Sequence, residues 1–526
     1  MVGWSGGRVV RWSRPILLFG VALGVRLAAL AFWPFDGLYG QDAYDYHRYA
    51  VSLRESLAQG QGVPPFFWPI GYPLHVVVGQ LIAGAQPSAG QAISVFAGAL
   101  VAPLTFALAH ETVRAIDARR AQRAGLMAGL IVAMAGQMLI SSLSVMSDAT
   151  GLAWATASAW LVVRYMRTLR PATLALATLT LAVAVVTRWV FGLLAVPWTI
   201  GVLLAWRRDW PSIGWRRAAF LSLASFAIGG LVVATQVLPG NAHTGDLQVV
   251  HWDPLNALRS QVANTDGAWT YSMPVGLFYL QPLAAPSYLF PLFIPFWLAG
   301  LLALARLGAP VRALLIGWPL IVYIFLAGIA WENPRFALAL FPPLAVWAGL
   351  GFDWLWEQGN RKQDDGEQGN RKGCPYGNAW AVALAAAALI GTLVWAGRVV
   401  GNFVAAKNAD LARVAHVSAR LPGGSLLLTF GLTLSLEHYT DLAVVDLHSE
   451  SQESLAARLS GCAAVFAYVD VENLDRQWRG RTPEVNFRWL RDAAGLEEVD
   501  RFGGYTLYRV KKNDAGCEKQ DDEDGP

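Results

Sequence analysis

Apolar runs of roughly 17 to 23 residues recur along this chain, with short polar segments between them. A helix rises about 1.5 Å per residue, so each run is long enough to cross the ~30 Å hydrocarbon core of a bilayer. The pattern predicts eleven transmembrane helices, near 15–33, 90–112, 124–142, 146–165, 171–187, 189–206, 218–238, 287–305, 313–330, 336–352 and 379–399. The first run follows Arg8, Arg11 and Arg14 and ends in Phe32-Trp33-Pro34-Phe35. It is longer than the h-region of a signal peptide and closes in interfacial aromatics, which predicts an uncleaved anchor. The apolar segment at 72–85 is too short to cross and predicts an interfacial or re-entrant helix.

Loop charges set the expected orientation. With the N-terminus inside, the inner loops hold twenty Lys and Arg residues, whereas the outer loops hold only Arg48, Arg54, Arg188, Arg259 and Arg335. Counting 72–85 as a crossing would reverse every later loop and destroy this bias, so an N-in, C-out topology is expected. Two outer loops, 34–89 and 239–286, are long enough to hold a site. The inner loop at 353–378 contains Glu357–Lys362 and repeats it at Glu367–Lys372, a polar duplication that predicts a solvated linker.

Beyond residue 400 the pattern changes. Ser425–Phe430, Asp441–Leu447 and Ala463–Val469 predict buried strands, with helices near 451–460 and 485–494 and a closing hairpin around Phe502-Gly503-Gly504-Tyr505. The expected architecture is therefore an all-α polytopic membrane domain over 1–400, a small extracytoplasmic α/β domain over 401–511, and a polar tail at 512–526 whose composition predicts disorder.

Composition agrees with this pattern. Of 526 residues, 55% are hydrophobic and 15% charged, well below the quarter expected of a soluble domain, and the mean hydropathy is +0.38. The net charge of +4 comes from Arg residues scattered through short loops, where they act as topology determinants, which argues against a nucleic-acid partner. Cys374, Cys462 and Cys517 lack metal-ligand spacing and are too few for a disulfide framework, although Cys462 and Cys517 are able to pair. His47, His75, His243 and His251 form no recognisable metal-ligand spacing.

The candidate chemistry lies where apolar runs emerge on the outer side. Asp42 and Asp45 stand in the first outer loop, Asp148 at the mouth of the fourth run, Arg188 between the fifth and sixth, and Glu332 and Arg335 between the ninth and tenth. All six would meet at one membrane depth. A carboxylate there can accept a proton from an attacking hydroxyl, and Arg can hold a phosphate through charge-assisted hydrogen bonds. At i+3 from Asp42 on a helix, Asp45 would share a divalent metal or an acceptor contact, or would face water. Each of the other residues has a structural alternative. Asp42 would serve as a solvated loop carboxylate or helix cap, Asp148 as the partner of a neighbouring Arg, Arg188 and Arg335 as snorkelling side chains, and Glu332 as the partner of Arg335. Arg26, midway along the first run, predicts a buried ion pair or a snorkelling stem. Pro65-Phe66-Phe67-Trp68-Pro69 fits either a sugar platform or the headgroup belt.

The stretch from Gln41-Asp42-Ala43 to Tyr49, followed by Phe66-Phe67-Trp68-Pro69-Ile70-Gly71-Tyr72-Pro73-Leu74, resembles the first outer loop of C-type membrane glycosyltransferases, in particular the protein O-mannosyltransferase-like and aminoarabinose-transferase-like branch. Ser144-Val145-Met146-Ser147-Asp148 resembles their second acidic position, and Asn333-Pro334-Arg335-Phe336 through Leu344 their late Arg-containing element. The order, spacing and common sidedness of these stretches over residues 10–400 carry the resemblance. It implies a polyprenyl-phosphate sugar donor, a lipid, glycan or protein acceptor, inversion at the anomeric carbon, Asp42 as catalytic base with Asp148 as a second catalytic carboxylate, and Arg335 on the phosphate. Asp45, Arg188, Glu332 and Tyr72 are implied as further substrate contacts. The chain lacks the Lys-Pro-Pro-Leu element common in the family and has Ile70-Gly71-Tyr72-Pro73-Leu74 instead. His251-Trp252-Asp253 and Trp269-Thr270-Tyr271 are candidates for shaping an acceptor cleft. Two other classes remain open on the residues alone: a transporter of a lipid-linked glycan, and a non-catalytic subunit of a cell-envelope assembly.

Overall fold

A computed structural model describes residues 9–114, 116–237, 252–368, 379–460 and 464–511. The three cysteines, His243, His251 and the polar tail lie outside these residues. Two compact units divide the chain: 1–259 with 273–403, and 260–272 with 404–526.

The first unit is helical. In chain order its elements are α1 (Val9–Phe32), α2 (Gln41–Ala58), α3 (Gly71–Ala83), α4 (Pro87–Val113), α5 (Ala118–Met134), α6 (Gly136–Leu143), α7 (Ser147–Thr168), α8 (Pro171–Thr187), α9 (Ala195–Arg208), α10 (Trp210–Val237), the single turn α11 (Val275–Phe278), α12 (Ile294–Leu304), α13 (Ala309–Gly328), α14 (Phe341–Gln368) and the part up to Phe403 of α15 (Ala379–Ser418), whose remainder belongs to the second unit. Every apolar run expected to cross is helical over most of its length. By length and apolarity, seven helices among the described residues are able to cross a membrane, or eight if α5 and α6, bent by 57° at their junction, form one span. The other three runs fall short for separate reasons. Helix α7 carries a polar, inward-facing set that includes Ser147, Asp148, Thr150, Thr156 and Ser158, all buried by the bundle, so it does not need an apolar surface all round. Helices α8 and Pro291–Leu304 are shorter than a full crossing.

The junction between α5 and α6 explains Arg26. Ala135 is extended (φ −63°, ψ 130°), and Gln137 N–H donates to Ser287 O at 3.0 Å instead of to its own helix. The Ala133 carbonyl thereby released accepts from Arg26 Nη1 at 3.4 Å, and the same nitrogen reaches Ala22 O at 2.8 Å. Arg26 is fully buried with no acidic partner among the described residues, so it is neither the ion pair nor the snorkelling stem expected from the sequence. It supplies donors to backbone at a helix break, where the bilayer offers no water to do so.

A second departure concerns the polar duplication. Its first copy, Glu357–Lys362, lies within α14. Asp353, 2% exposed, receives Arg120 Nε at 2.8 Å and Arg123 Nε at 2.9 Å, and Arg123 also pairs with Glu357. These ion pairs hold the polar end of the helix in place, an effect composition does not reveal.

The second unit contains a five-stranded sheet of β3 (Leu426–Thr429), β4 (Ala443–Asp446), β5 (Val465–Val469), β6 (Leu496–Phe502) and β7 (Tyr505–Val510), in the order β4-β3-β5-β7-β6. The first three strands are parallel, and β6–β7 is the hairpin turned at Gly503-Gly504, both in the left-handed region. Helices α16 (Thr433–Tyr439), α17 (Gln452–Leu459), α18 (Val471–Gln477) and α19 (Thr482–Ala493) connect the strands. Leu428, Val445, Val465, Ala467, Leu474, Phe487 and Leu490 form one core on the sheet, and Val414, Leu427, Phe466, Tyr468 and Leu507 another. A hairpin from the 239–286 loop, β1 (Gln261–Asn264) and β2 (Gly267–Thr270), belongs to this unit, whereas the sequence reading kept that loop whole in the membrane domain.

Candidate functional site

Four of the expected residues meet in two ion pairs. Arg335 Nη2 lies 2.5 Å from Asp42 Oδ2, across 293 positions of sequence, and Arg188 Nη1 lies 2.8 Å from Asp148 Oδ1. The two pairs share an aromatic wall, because the Arg188 and Arg335 guanidinium carbons stand 5.4 and 5.3 Å from the centre of the Phe336 ring. Asp42 and Arg335 keep 22% and 18% of their side-chain surface exposed and Arg188 keeps 20%, whereas Asp148 keeps 3%.

Helix ends place all four. Asp42 and Asp148 occupy the first turns of α2 and α7, where the unpaired backbone N–H groups favour negative charge. Neither is an N-cap, since neither helix has a side-chain cap. Arg188 is the extended residue that ends α8, and Arg335 follows Pro334 in a 3-10 turn (Pro334–Leu340) capped by Asn333 Oδ1, which accepts from Arg335 N–H at 3.1 Å.

The connection before α2 is fastened to the connection before α7. Gln91 Nε2 donates to Phe35 O at 2.8 Å and Leu143 O at 2.9 Å, and Val145 N–H donates to Gly37 O at 2.9 Å. Gly37 has φ +90°, and a methyl group there would come within 2.8 Å of Val145 Cγ2. Gly71 plays the matching role for Arg188: a methyl group there would stand 2.4 Å from Val186 O and 2.8 Å from Thr187 N. Gly71→Ala is therefore expected to lower stability by about 1–3 kcal/mol, because backbone rather than a rotatable side chain must move. A thermal melt in detergent that matches wild type would contradict this close approach.

The free valences show what the site is built to take. Among the described residues, the Arg335 guanidinium has as hydrogen-bond acceptors Asp42 and the Met146 thioether, the latter 3.0 Å from Nη1, and its buried Nε has none. Sulfur is a weak acceptor, and a guanidinium prefers a planar pair of anionic oxygens. The buried Oδ2 of Asp148 likewise has no hydrogen-bond partner among the described residues. Ser147 Oγ links the halves, 3.1 Å from Tyr46 OH and 3.5 Å from Arg188 Nη1. Burial, with Asp42 close by, pushes the Tyr46 phenol up, so it stays a neutral hydroxyl.

The remaining expected residues are placed differently. Asp45 pairs with Arg48 at 3.0 Å on the partly exposed face of α2, one turn from Asp42. Tyr72 is fully buried, with its hydroxyl 2.8 Å from Ser94 Oγ and 3.3 Å from Gly90 O and its ring edge-on to Tyr46, so it supports the site from behind. Phe66 stacks on Tyr49 with centroids 3.9 Å apart, while Phe67 and Trp68 remain exposed. Trp252 donates to Phe325 O at 3.1 Å and Asp253 pairs with Arg259 at 2.9 Å, both within the first unit. Trp269 and Tyr271 stack at 5.9 Å in the second. His75 is a structural residue that donates through Nδ1 to Gly71 O at 2.6 Å and accepts from Trp154 Nε1 at 3.1 Å. Among the described residues no three His, Cys, Asp or Glu side chains converge as metal ligands. Tyr46, Met146, Ser147 and Phe336 were not singled out from the sequence, although all but Met146 adjoin a charged candidate.

Glu332 stands between α13 and the Pro334 turn, and burial pushes its carboxyl from 4.5 up to about 7. The fold thus favours the protonated acid. The unfolded chain releases that proton at lower pH than the folded one, so stability falls as pH rises from 4.5 through about 7. Glu332→Gln is expected to flatten that part of the melting-temperature profile; an unchanged slope would rule out this carboxyl as its origin.

No protein-family model and no curated protein matches the chain. Solved structures do. ArnT from Cupriavidus metallidurans bound to undecaprenyl phosphate is 15% identical with a TM-score of 0.59, covering 96% of this chain and 98% of that one. The same protein in its apo state gives a TM-score of 0.57. The archaeal oligosaccharyltransferase AglB from Archaeoglobus fulgidus, in complex with an inhibitory peptide and a dolichol-phosphate, is 12% identical with a TM-score of 0.55, over 88% of this chain and 70% of that one. Both neighbours are membrane glycosyltransferases of the C-type superfamily. This chain is a multi-pass membrane protein with the C-type membrane glycosyltransferase fold.

Proposed function

We propose that this protein is a membrane glycosyltransferase that moves a sugar from a polyprenyl-phosphate donor to a hydroxyl acceptor on the extracytoplasmic side. The observation that carries this reading is the Asp42–Arg335 pair, a carboxylate held by a guanidinium whose Nη1 reaches a thioether and whose buried Nε has no acceptor among the described residues. Isoprenoid phosphates bound in ArnT and AglB support the same ligand class. The N-in topology expected from loop charges would put the pair on the outer side.

On this reading the donor phosphate displaces Met146 Sδ from Arg335 and draws on Arg188, with Phe336 holding both guanidiniums in plane. Arg335 then shares its charge with the phosphate, leaving Asp42 a freer base. The acceptor oxygen attacks the anomeric carbon from the face opposite the phosphate, and its proton passes to Asp42. The anomeric carbon–oxygen bond breaks with its electron pair going to polyprenyl phosphate, whose charge the two arginines stabilise, so the configuration inverts. Asp148, buried against Arg188, acts as a positioning residue.

Binding of the leaving group tests this directly. Polyprenyl phosphate is expected to raise the melting temperature of the purified protein in a concentration-dependent way, while the polyprenol of equal chain length has no such effect. Equal shifts from both lipids would show that the tail alone is recognised and would sink the phosphate assignment.

A further inference from the structure

The second unit has a cleft that the transfer chemistry does not use. It opens at the carboxyl ends of β3 and β5, where Phe430-Gly431 leaves the first strand and Asp470 leaves the second. Strand β3 is flanked by its parallel partners β4 and β5, so the chain runs to one side after β3 and then crosses to the other. The carboxyl edge between β3 and β5 is therefore a topological switch point, where diverging connections leave a crevice in open α/β sheets.

The walls combine ring faces with unsatisfied acceptors. Phe430 and Trp478 meet edge-to-face at 4.8 Å. Asp470 Oδ1 caps α18 by accepting from Asn473 N–H at 3.0 Å, and its Oδ2 has no partner among the described residues. Asn473 Nδ2 donates to Gln477 Oε1 at 3.3 Å, which leaves Asn473 Oδ1 free to accept, and Gln477 Nε2 is in turn anchored to Asp266 O of the β1–β2 hairpin at 2.6 Å. Gly267, at φ +115°, admits that hairpin: a methyl group there would lie 2.6 Å from Gln477 O. Across the cleft the Tyr505 hydroxyl makes no hydrogen bond with a described residue, and Gly431, at φ +86°, leaves it uncovered. Burial, with Asp470 and Asp410 near, pushes the Tyr505 phenol up, so it remains a donor.

Charge narrows the ligand. Among the described residues no Lys or Arg lines the cleft, and the Arg413 guanidinium, 5.5 Å from the centre of the Tyr505 ring, is already engaged by Asp410 and Gly503 O, so a phosphate or carboxylate would enter beside Asp470 with no uncommitted cation to balance it. Two acceptors and a phenol set around aromatic rings match a compound rich in hydroxyl donors with apolar ring faces. The space, about 200 Å³, is below the size of a drug-like ligand pocket and suits a single ring. We propose that this switch-point cleft is a saccharide-binding subsite that takes one neutral, unphosphorylated sugar unit of a glycan. The proposal stands on the second unit alone and does not depend on the transfer reading.

Saturation-transfer NMR on the full chain in nanodiscs, with neutral mono- and disaccharides and their sugar phosphates, tests it. The expected result is saturable binding of at least one neutral saccharide, weakened about tenfold or more in Asn473→Ala/Tyr505→Phe, which removes two hydrogen-bonding groups with little loss of core. The melting temperature of the double variant should match wild type. Binding that is absent, confined to sugar phosphates, or equal in wild type and variant would overturn the assignment. Gly267→Val, which should dislodge the hairpin anchoring Gln477, is expected to weaken the same saccharide, and undiminished binding there would break the proposed link between hairpin and cleft.

Discussion

Asp42→Asn is expected to lower the turnover number by about 10²–10⁴, the usual contribution of general-base catalysis, while leaving the donor KM near or below its wild-type value. The two parameters separate because Asp42 holds one of the Arg335 donors in the resting site, and Asn is a weaker competitor for them. Removing the carboxylate thus removes the proton acceptor and at the same time frees the guanidinium for phosphate. A raised donor KM with unchanged turnover would make Asp42 a binding residue instead. The neighbouring Asp45, paired with Arg48 one turn along, provides the control: Asp45→Asn should change transfer little, since an exposed i,i+3 pair contributes only a few tenths of a kcal/mol.

Arg335→Lys is expected to cost donor affinity and turnover together, by about 10²-fold or more in kcat/KM, despite keeping the charge. Lysine carries a compact ammonium and cannot place parallel donors on Asp42 and a phosphate at once, nor lie flat against Phe336. It would also leave the Asp42 carboxylate less firmly held. Donor titration in proteoliposomes at several salt concentrations checks this. A Lys variant with wild-type kcat/KM would mean that a point charge suffices and that the fork geometry at Arg335 is incidental.

Each half of the architecture left a different trace in the sequence. Runs of about twenty apolar residues are strong signals, and the strands Leu426–Thr429, Ala443–Asp446 and Val465–Val469 fall inside the segments read as strands. The break at Ala135 was not legible, because it depends on Gln137 finding Ser287 and on Arg26 reaching a released carbonyl, contacts spread over more than a hundred residues. The membership of β1–β2 in the second unit was hidden for the same reason: Gln477 and Asp266 are 211 positions apart.

At the site, isolated charges at the ends of apolar runs were visible because a charge there is costly unless it is used or paired. Which charge meets which was not visible. Asp148 was expected as a catalytic carboxylate and is buried against Arg188, while Tyr72 was expected at the substrate and is fully buried behind Tyr46. Phe336 carried no signal of its own, since an aromatic next to Arg335 is ordinary in a membrane interface until a second guanidinium proves to share its ring.

The measurement that bears most directly on the central claim is the fate of a radiolabelled sugar, supplied on a panel of polyprenyl-phosphate donors to the wild-type protein and Asp42→Asn in sealed vesicles at matched protein levels. The proposed function predicts label leaving the lipid for an acceptor, with polyprenyl phosphate released, in the wild type and not in the variant. Intact donor carried across the bilayer, with its sugar still attached in both proteins, would contradict glycosyl transfer and make the chain a transporter of lipid-linked sugars.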